Sequence, residues 1–337
     1  MSRASTKRPT LRDVALLAGV SHQTVSRVVN GAPGVMPETQ ARVESAIQDL
    51  DYRPHAIARS MAQGRTNTLA CLAPNLTDFT YASNMEGAES VARERGYYLL
   101  CASFADERQF VDLVDELVAR GRVDGLIVIS PFVELPVQHL PNDFATVLMG
   151  GCPRDDVQNL AYLDNHRAAY EATEHLTQLG HRRIAQVTGP LAEDCAQERN
   201  RGYADALADA GIPPDPALVV AGDWSATSGH AALHELLTRA PDLSAVVAQN
   251  DRMAVGILRA GRELGLQVPD NLSVIGFDDM PLASYFDPPL TTMRQDTFAI
   301  GQACACLLMD ALSQPEAGPR QIRLEASLVV RQTTAPV

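Results

Sequence analysis

The tightest constraint on this chain lies in residues 10–30, TLRDVALLAGVSHQTVSRVVN, whose spacing builds a helix, a tight turn and a second helix. Thr10 and Asp13 stand three apart, as a capping box at a helix start requires. Leu11, Val14, Ala15 and Ala18 recur at three and four residues, the period of one buried helical face. Gly19 ends that helix, because glycine enters the left-handed conformation of a helix stop without a Cβ clash. Ser21 can then cap the next helix by accepting a backbone N–H. On the second helix Val25, Val28 and Val29 make the inward face and leave His22, Gln23, Ser26 and Arg27 outward. By itself this is a capped helical hairpin, whose outward side chains are donors and acceptors of the kind that base edges pair with.

Further along, a loop over residues 30–34 leads to Pro37 and Glu38, which suit the first turn of a third helix. Val43, Ala46, Ile47 and Leu50 are its buried stripe, and the expected helical module covers residues 1–54. Tyr52, Arg53 and Pro54 form a link, since proline pushes the residue before it out of helical geometry. Residues 55–62, HAIARSMA, are good helix formers but too few to hold a helix alone, because fewer than about 12 residues are marginal in water. Standing alone, the segment reads as a surface linker.

The stretch SHQTVSRVVNG is similar, without gaps, to the recognition segment of the lactose repressor family of bacterial transcription regulators. The resemblance implies that the second helix enters the major groove. It points to Thr10, Ser21, His22, Gln23, Thr24, Ser26, Arg27, Asn30 and Tyr52 as DNA contacts. It also makes residues 55–67 a hinge helix and linker. In the family this helix orders on operator DNA, pairs with its dimer mate and pushes an apolar wedge between base steps of the minor groove. On that match His55, Ala58 and Met61 contact DNA, with Met61 where the family usually carries leucine and His55 where it commonly carries asparagine.

Charge is divided along the chain in the same sense. Residues 1–65 carry nine Lys and Arg against five Asp and Glu, a balance of +4, while the remainder carries 19 against 36, or −17. A basic head that approaches phosphates and an acidic body that does not would look this way. At 337 residues and 46% hydrophobic content, the chain suggests two or three domains with sizeable cores. It has no run of eighteen apolar residues and no apolar stretch behind a basic N-terminus, so neither a membrane span nor a secretory signal is expected and the protein should work in the cytoplasm. The six cysteines form no C-x-x-C pair and have no matching histidine spacing, so we expect reduced side chains, no metal and no cofactor.

Beyond residue 68 short apolar runs alternate with amphipathic helices. Strands are expected at 69–73, 97–101, 125–129 and 146–149, with helices near 83–95 and 107–120 between them. The pattern restarts after Asp164: helix 167–179, strand 183–187, helix 197–210, strand 218–221, helix 226–238, strand 245–248, helix 252–264 and strand 272–276. The chain should cross back near 291–294 into a helix over 297–312, with a last strand at 326–330. Such alternation gives parallel sheets with right-handed crossovers. The expected fold is thus an all-α helix-turn-helix head followed by an α/β body, residues 68–337, of two doubly wound parallel-sheet lobes. One lobe takes about 68–163 plus 295–323, the other about 164–292 plus 324–337. Two such lobes resemble the periplasmic sugar-binding fold, which is also the family's effector domain.

In open α/β sheets ligands sit at the carboxyl ends of strands. Asn250 and Asp251, Asp278 and Asp279, Trp224 and Gln295 all stand just past expected strands or the crossing, and Arg199 near the start of a helix. Carboxylates, amides and a guanidinium can bridge paired hydroxyls, while an indole face covers the C–H side of a sugar ring. Each has a plainer role open to it: a core tryptophan, a helix-capping aspartate, a surface cation. The segments GPLAEDCAQERNRGY, GDWSATSG, QNDRMA, GFDDM and PPLTTMRQD are similar to the family's effector-contact segments, GDWSATSG especially to that of the family's namesake. The resemblance carries over Arg199, Trp224, Asn250, Asp278 and Gln295 as effector contacts, with Asp78 and Tyr81 beside them. Asp78, Phe79, Thr80 and Tyr81 replace the Asn-Pro-Phe-Phe of many members, and Gly150 replaces the namesake's sugar-contacting aspartate.

The chain shows none of the glycine-rich phosphate loops, nucleophile elbows or H-E-x-x-H motifs of nucleotide-dependent or hydrolytic enzymes. The resemblance implies a non-enzymatic, sequence-specific repressor of carbohydrate-utilisation genes. A homodimer would bind double-stranded operator DNA, and a sugar or glycoside between the lobes would change its affinity through a coupling of about 1–3 kcal/mol. Because no leucine-rich heptad tail precedes Val337, a dimer is expected rather than a tetramer. The rivals are a solute-binding receptor of transport, against which the basic head and missing signal argue, and a sugar-modifying enzyme using Asp278 as acid or base.

Overall fold

A strand covered on both faces reads as a continuous apolar run, and two central strands of this protein do. The runs GLIVI and AVVA are buried at every position. The structure, a computed structural model, describes residues 9–30, 32–52, 65–129, 139–141, 143–153 and 159–337. It consists of two compact units, residues 1–67 and 68–337. The expected hinge helix, with His55, Ala58 and Met61, lies outside the described residues.

The first unit packs three helices, α1 (Leu11–Ala18), α2 (His22–Val29) and α3 (Pro37–Asp49). Val14, Val25 and Val43, one from each, are fully buried at its centre. Tyr52 joins this core at 8% exposure.

In the second unit, the first sheet contains β1 (Thr68–Ala73), β2 (Tyr98–Ser103), β3 (Gly125–Ile129), β4 (Thr146–Met149) and β5 (Asn159–Leu163). The helices α4 (Phe79–Glu94) and α5 (Glu107–Val114) lie between its first strands. The second lobe follows as α6 (Asn165–Gln178), β6 (Ile184–Thr188), α7 (Asp194–Asp209), β7 (Val219–Ala221), α8 (Ala226–Arg239), β8 (Ala245–Ala248), α9 (Asp251–Glu263), β9 (Ser273–Asp278) and β10 (Thr291–Arg294). The chain then returns to the first lobe with α10 (Thr297–Ser313) and β11 (Gln321–Leu324), and ends in the second with β12 (Ser327–Val329). The sheet orders are β11-β5-β4-β3-β1-β2 and β12-β10-β9-β8-β6-β7. Every pairing is parallel except β10 with β12.

The lobes are therefore joined by three short crossings, at Asp164, at Gln295–Asp296 and at Glu325–Ala326. Two crossings are tied together by Arg323, which pairs with Asp164 at 3.2 Å and Glu325 at 3.1 Å. Three departures from the sequence reading matter here. β5 and β11 were not expected, residues 291–294 form a full strand of the second sheet with the crossing just after it, and the last strand is antiparallel. β11 alternates exposed and half-buried positions, and its pattern QIRL carries too few apolar residues to mark a strand. The helix expected over 107–120 is α-helical only to Val114 and closes with a wider π turn at Asp115–Ala119.

Close helix pairs in the body depend on glycine. A Cβ at Gly301 of α10 would lie 1.9 Å from the carbonyl oxygen of Asn84, and one at Gly87 2.0 Å from that of Phe298, so α4 and α10 touch backbone to backbone. Gly301→Ala should accordingly destabilise the body by about 1–3 kcal/mol, the usual cost of overpacking. Calorimetry would register this as a lower melting temperature, and an unchanged value would contradict the contact.

Candidate functional site

The head's polar residues divide into those that build the helices and those left outward. Thr10 and Asp13 form the capping box, with the Thr10 N–H and hydroxyl each donating to Asp13 Oδ2 at 2.7 Å. Gly19 ends α1 at φ +61, and Arg42 of α3 donates to the carbonyls of Ala18 and Gly19, a cap that sequence reasoning missed. Ser21 caps α2 by accepting from the Thr24 N–H at 3.1 Å, and Thr24 Oγ1 lies 2.9 Å from Ser21 Oγ. Asn30 caps the far end and donates to Ser26 Oγ at 3.3 Å. His22, Gln23 and Arg27 are exposed, and Arg27 also donates to the Pro33 carbonyl at 2.6 Å. Tyr52 departs from the sequence reading. It belongs to the core of the head at 8% exposure, a packing role that its expected place in a link did not suggest.

The cleft of the body is built from the strand ends and helix starts of both lobes, with about 870 Å³ of empty space that includes the solvent at its open mouth. All seven residues expected there, Asp78, Tyr81, Arg199, Trp224, Asn250, Asp278 and Gln295, line it.

Arg199 is the centre of the arrangement. It is 5% exposed, its Nε donates to Asn165 Oδ1 at 2.8 Å, and its Nη1 donates to the Gln249 carbonyl. The guanidinium carbon sits 3.5 Å from the centroid of the Phe277 ring and 5.8 Å from that of Trp224, a cation held between aromatic faces. Gln249 is itself fixed, since its Oε1 accepts from the Gly189 N–H at 2.9 Å and its Nε2 donates to the Ala196 carbonyl at 3.1 Å.

Asp278 ends β9 at φ +118, a conformation that L side chains rarely adopt, and Gln295 Nε2 donates to its Oδ1 at 2.6 Å. Behind it Asp251 accepts from Thr292 Oγ1 at 2.6 Å and from the Met280 N–H at 2.8 Å. Burial raises both carboxyls well above the usual aspartate range; the neighbouring Asp251 charge adds to the rise at Asp278, while Arg199 pulls it back. Asp279, by contrast, is consumed by ion pairs with Arg294 and Arg331, each at 2.6 Å.

Trp224, at φ +67, lays its indole over Gly189, where a Cβ would fall 2.1 Å from the ring, and donates its Nε1–H to Glu193 Oε2 at 3.0 Å. Asn250 caps α9 through the Met253 N–H at 2.8 Å and donates to the Trp224 carbonyl at 3.1 Å, so it holds the wall as well as lining the cleft. From the first lobe Asp78 caps α4 and reaches across to Arg252 of the second lobe at 2.8 Å. Tyr81 lies beside them, its hydroxyl raised by burial and by Glu193.

The sequence reading missed Glu193, Arg252, Asn165 and Phe277. All but Asn165 stand inside segments it singled out, but only the folded chain shows which of their side chains face the cleft or Arg199. Among the described residues that line this pocket, Cys195 has its thiol pushed up to about 12 by burial, which leaves it a poor nucleophile. The arrangement offers a polyhydroxylated molecule carboxyl, amide and guanidinium groups as hydrogen-bond partners.

A helix-turn-helix head on a two-lobed body with a polar, aromatic-walled cleft defines a ligand-responsive DNA-binding protein. Residues 10–55 match the model of bacterial regulatory proteins of the lacI family, and residues 173–334 that of the periplasmic binding protein-like domain. The chain is 36% identical over 336 residues to the HTH-type transcriptional regulator CelR of Thermobifida fusca, covering 97% of this chain and 98% of the relative. It is also 36% identical over 326 residues to the ribose operon repressor of Escherichia coli K12, covering 96% and 98%. Among solved structures it is similar to a CelR–cellobiose complex, with TM-score 0.74, 34% identity and coverage of 97% and 100%. It is likewise similar to a lac repressor dimer bound to operator and the anti-inducer ONPF, with TM-score 0.88, 31% identity and coverage of 98% and 100%. This chain belongs to the LacI family of bacterial regulatory proteins, and it is a DNA-binding transcriptional regulator rather than an enzyme. Among the described residues no helix is long and apolar enough to cross a membrane.

The raised carboxyl of Asp278 has a consequence for stability. In the folded state it holds its proton to higher pH than in the unfolded chain, so its contribution is full below about pH 4, where unfolded aspartate ionises, and is lost as pH rises through the raised value. Asp278→Asn should therefore flatten the fall of melting temperature between pH 5 and 9 in ligand-free protein. A mutant curve parallel to the wild type would refute the assignment.

Proposed function

We propose that this protein is a cytoplasmic, homodimeric repressor of carbohydrate-utilisation genes whose hold on operator DNA is set by a neutral sugar or glycoside in the cleft. The observation that carries this reading is the buried Arg199, kept among Asn165, Gln249 and Phe277 with Asp278 and Gln295 beside it. Buried charges are retained where something completes their hydrogen bonding, and paired sugar hydroxyls suit a guanidinium and a carboxylate. The face of Trp224 suits the apolar side of a pyranose or furanose ring. The cellobiose of the CelR complex and the name of the ribose operon repressor support a carbohydrate class. Arg252 is paired with Asp78, and the carboxylate of Glu193 lies near enough to Arg199 to feel its charge, so the two cations of the cleft lining are offset, which favours an uncharged sugar over a sugar phosphate.

The linkage we propose runs through lobe closure. Ligand contacts from both lobes, together with the Asp78–Arg252 pair that spans them, stabilise one closure, and the three crossings absorb the change. Exposed His22, Gln23 and Arg27 would read base edges, with Thr10, Ser21, Thr24, Ser26 and Asn30 holding the helices and reaching phosphates. The hinge residues His55, Ala58 and Met61 would order in the minor groove. On this reading the head and hinge take residues 1–54 and 55–67, and the body 68–337.

Trp224 is the only tryptophan, so its emission reports on the cleft alone. Titration with neutral mono- and disaccharides and their phosphates should find a neutral sugar that saturates the signal and raises the melting temperature, while sugar phosphates do neither. A response confined to phosphorylated or non-carbohydrate ligands would overturn the proposed effector class. Arg27→Ala should weaken operator binding by about 1–3 kcal/mol in gel shifts and leave that fluorescence titration unchanged; full operator affinity in this variant would remove Arg27 from the interface.

A further inference from the structure

In the second lobe, away from the cleft lining, α8 and α9 cross where two glycines clear the space between them. A Cβ on Gly256 would lie 1.9 Å from the Ala226 carbonyl oxygen, and one on Gly229 2.2 Å from that of Met253. Beyond the crossing, His230 and His234 stand four apart on α8 and so share one face. They are the only two of the chain's eight histidines with this spacing. Opposite them is Glu263, the last residue of α9.

His230 Nε2 and Glu263 Oε2 are 2.7 Å apart, and the two imidazole centroids 5.0 Å. One ligand atom from each of the three residues lies within 4.8 Å of the other two. Arg259 donates to Glu263 Oε1 at 2.6 Å, which leaves Oε2 turned toward the imidazoles. His230 is half-buried, and His234 and Glu263 are exposed.

We propose that His230, His234 and Glu263 form a site for a divalent transition ion of the zinc class, which ties α8 to α9. Imidazole nitrogen and carboxylate oxygen are the ligands such ions prefer, and a His2Glu set with solvent in the fourth position is a known zinc arrangement. Tetrahedral coordination with zinc–ligand bonds of about 2.0–2.2 Å needs ligand atoms about 3.3 Å apart. The His230–Glu263 contact must open slightly and the longer separations close, within the reach of side-chain rotation at this surface. Arg259 acts as a positioning residue that fixes the carboxylate. Both helices start at the cleft, α8 just after Trp224 and α9 at Asn250, which donates to the Trp224 carbonyl. A metal clasp here therefore stiffens the wall of the second lobe.

The test uses the full-length, untagged chain stripped with a chelator. Titration with zinc chloride by calorimetry, and with cobalt(II) by visible absorption, should show one ion per chain, with affinity falling at lower pH because imidazole must be deprotonated to bind. His234→Ala removes an exposed ligand without disturbing the core, and Glu263→Gln keeps the shape of the third. Each should weaken zinc binding at least about tenfold and abolish the rise in melting temperature that zinc gives the parent. Magnesium, a hard ion that prefers oxygen ligands, should give no rise. Zinc affinity unchanged in His234→Ala, or no zinc binding by the parent, would overturn the site.

Discussion

The body depends on a guanidinium taken out of water. Moving an isolated cation into the interior costs several kcal/mol even after relaxation, so Arg199 is tolerated only because its surroundings replace the lost solvent. Asn165, the Gln249 carbonyl and the Phe277 ring do so, and each comes from a different element: the start of α6, the end of β8 and the end of β9. Gln249 in turn is locked by the backbone at Gly189 and Ala196, and Gly189 is the surface on which Trp224 rests. One buried cation thus fixes the ends of three elements and, through them, the aromatic wall.

The carboxylates carry the opposite tension. Asp278 and Asp251 are buried close enough to repel, and the backbone at Asp278 adopts a conformation that costs of order 1–3 kcal/mol in a non-glycine residue. Backbone strain and buried acids held above their usual range are thus gathered at one cleft. The Asp78–Arg252 pair adds a partly exposed contact between lobes, worth little alone, about 0–1 kcal/mol. The coupling in ligand-controlled regulators is itself only about 1–3 kcal/mol, so contacts of this size suffice to tip the balance.

Much of this was legible in the sequence, and unevenly so. The head announced itself through capping residues and three- and four-residue spacing, because local chemistry decides a short helical hairpin. The central strands were equally plain as continuous apolar runs. β5 and β11 were not, because NLAYL and QIRL mix apolar with polar side chains and gain their place only by pairing with each other beside β4. At the cleft, position after a strand or the crossing pointed to Trp224, Asn250, Asp278 and Gln295, and position near a helix start to Arg199, whereas Glu193, Arg252 and Phe277 depend on side-chain direction that spacing does not fix. Tyr52 showed the converse limit, an amphipathic residue whose burial in the head follows from tertiary packing.

The central claim is that occupancy of the cleft and grip on DNA are one thermodynamic system. The direct measurement is a closed cycle on one preparation: operator affinity by fluorescence anisotropy with and without saturating effector, and effector affinity by Trp224 emission with and without operator. Linkage requires the two affinity ratios to be equal, and a coupling of ordinary size makes each about 5- to 150-fold. An effector that saturates the cleft while leaving operator affinity unchanged would contradict the account.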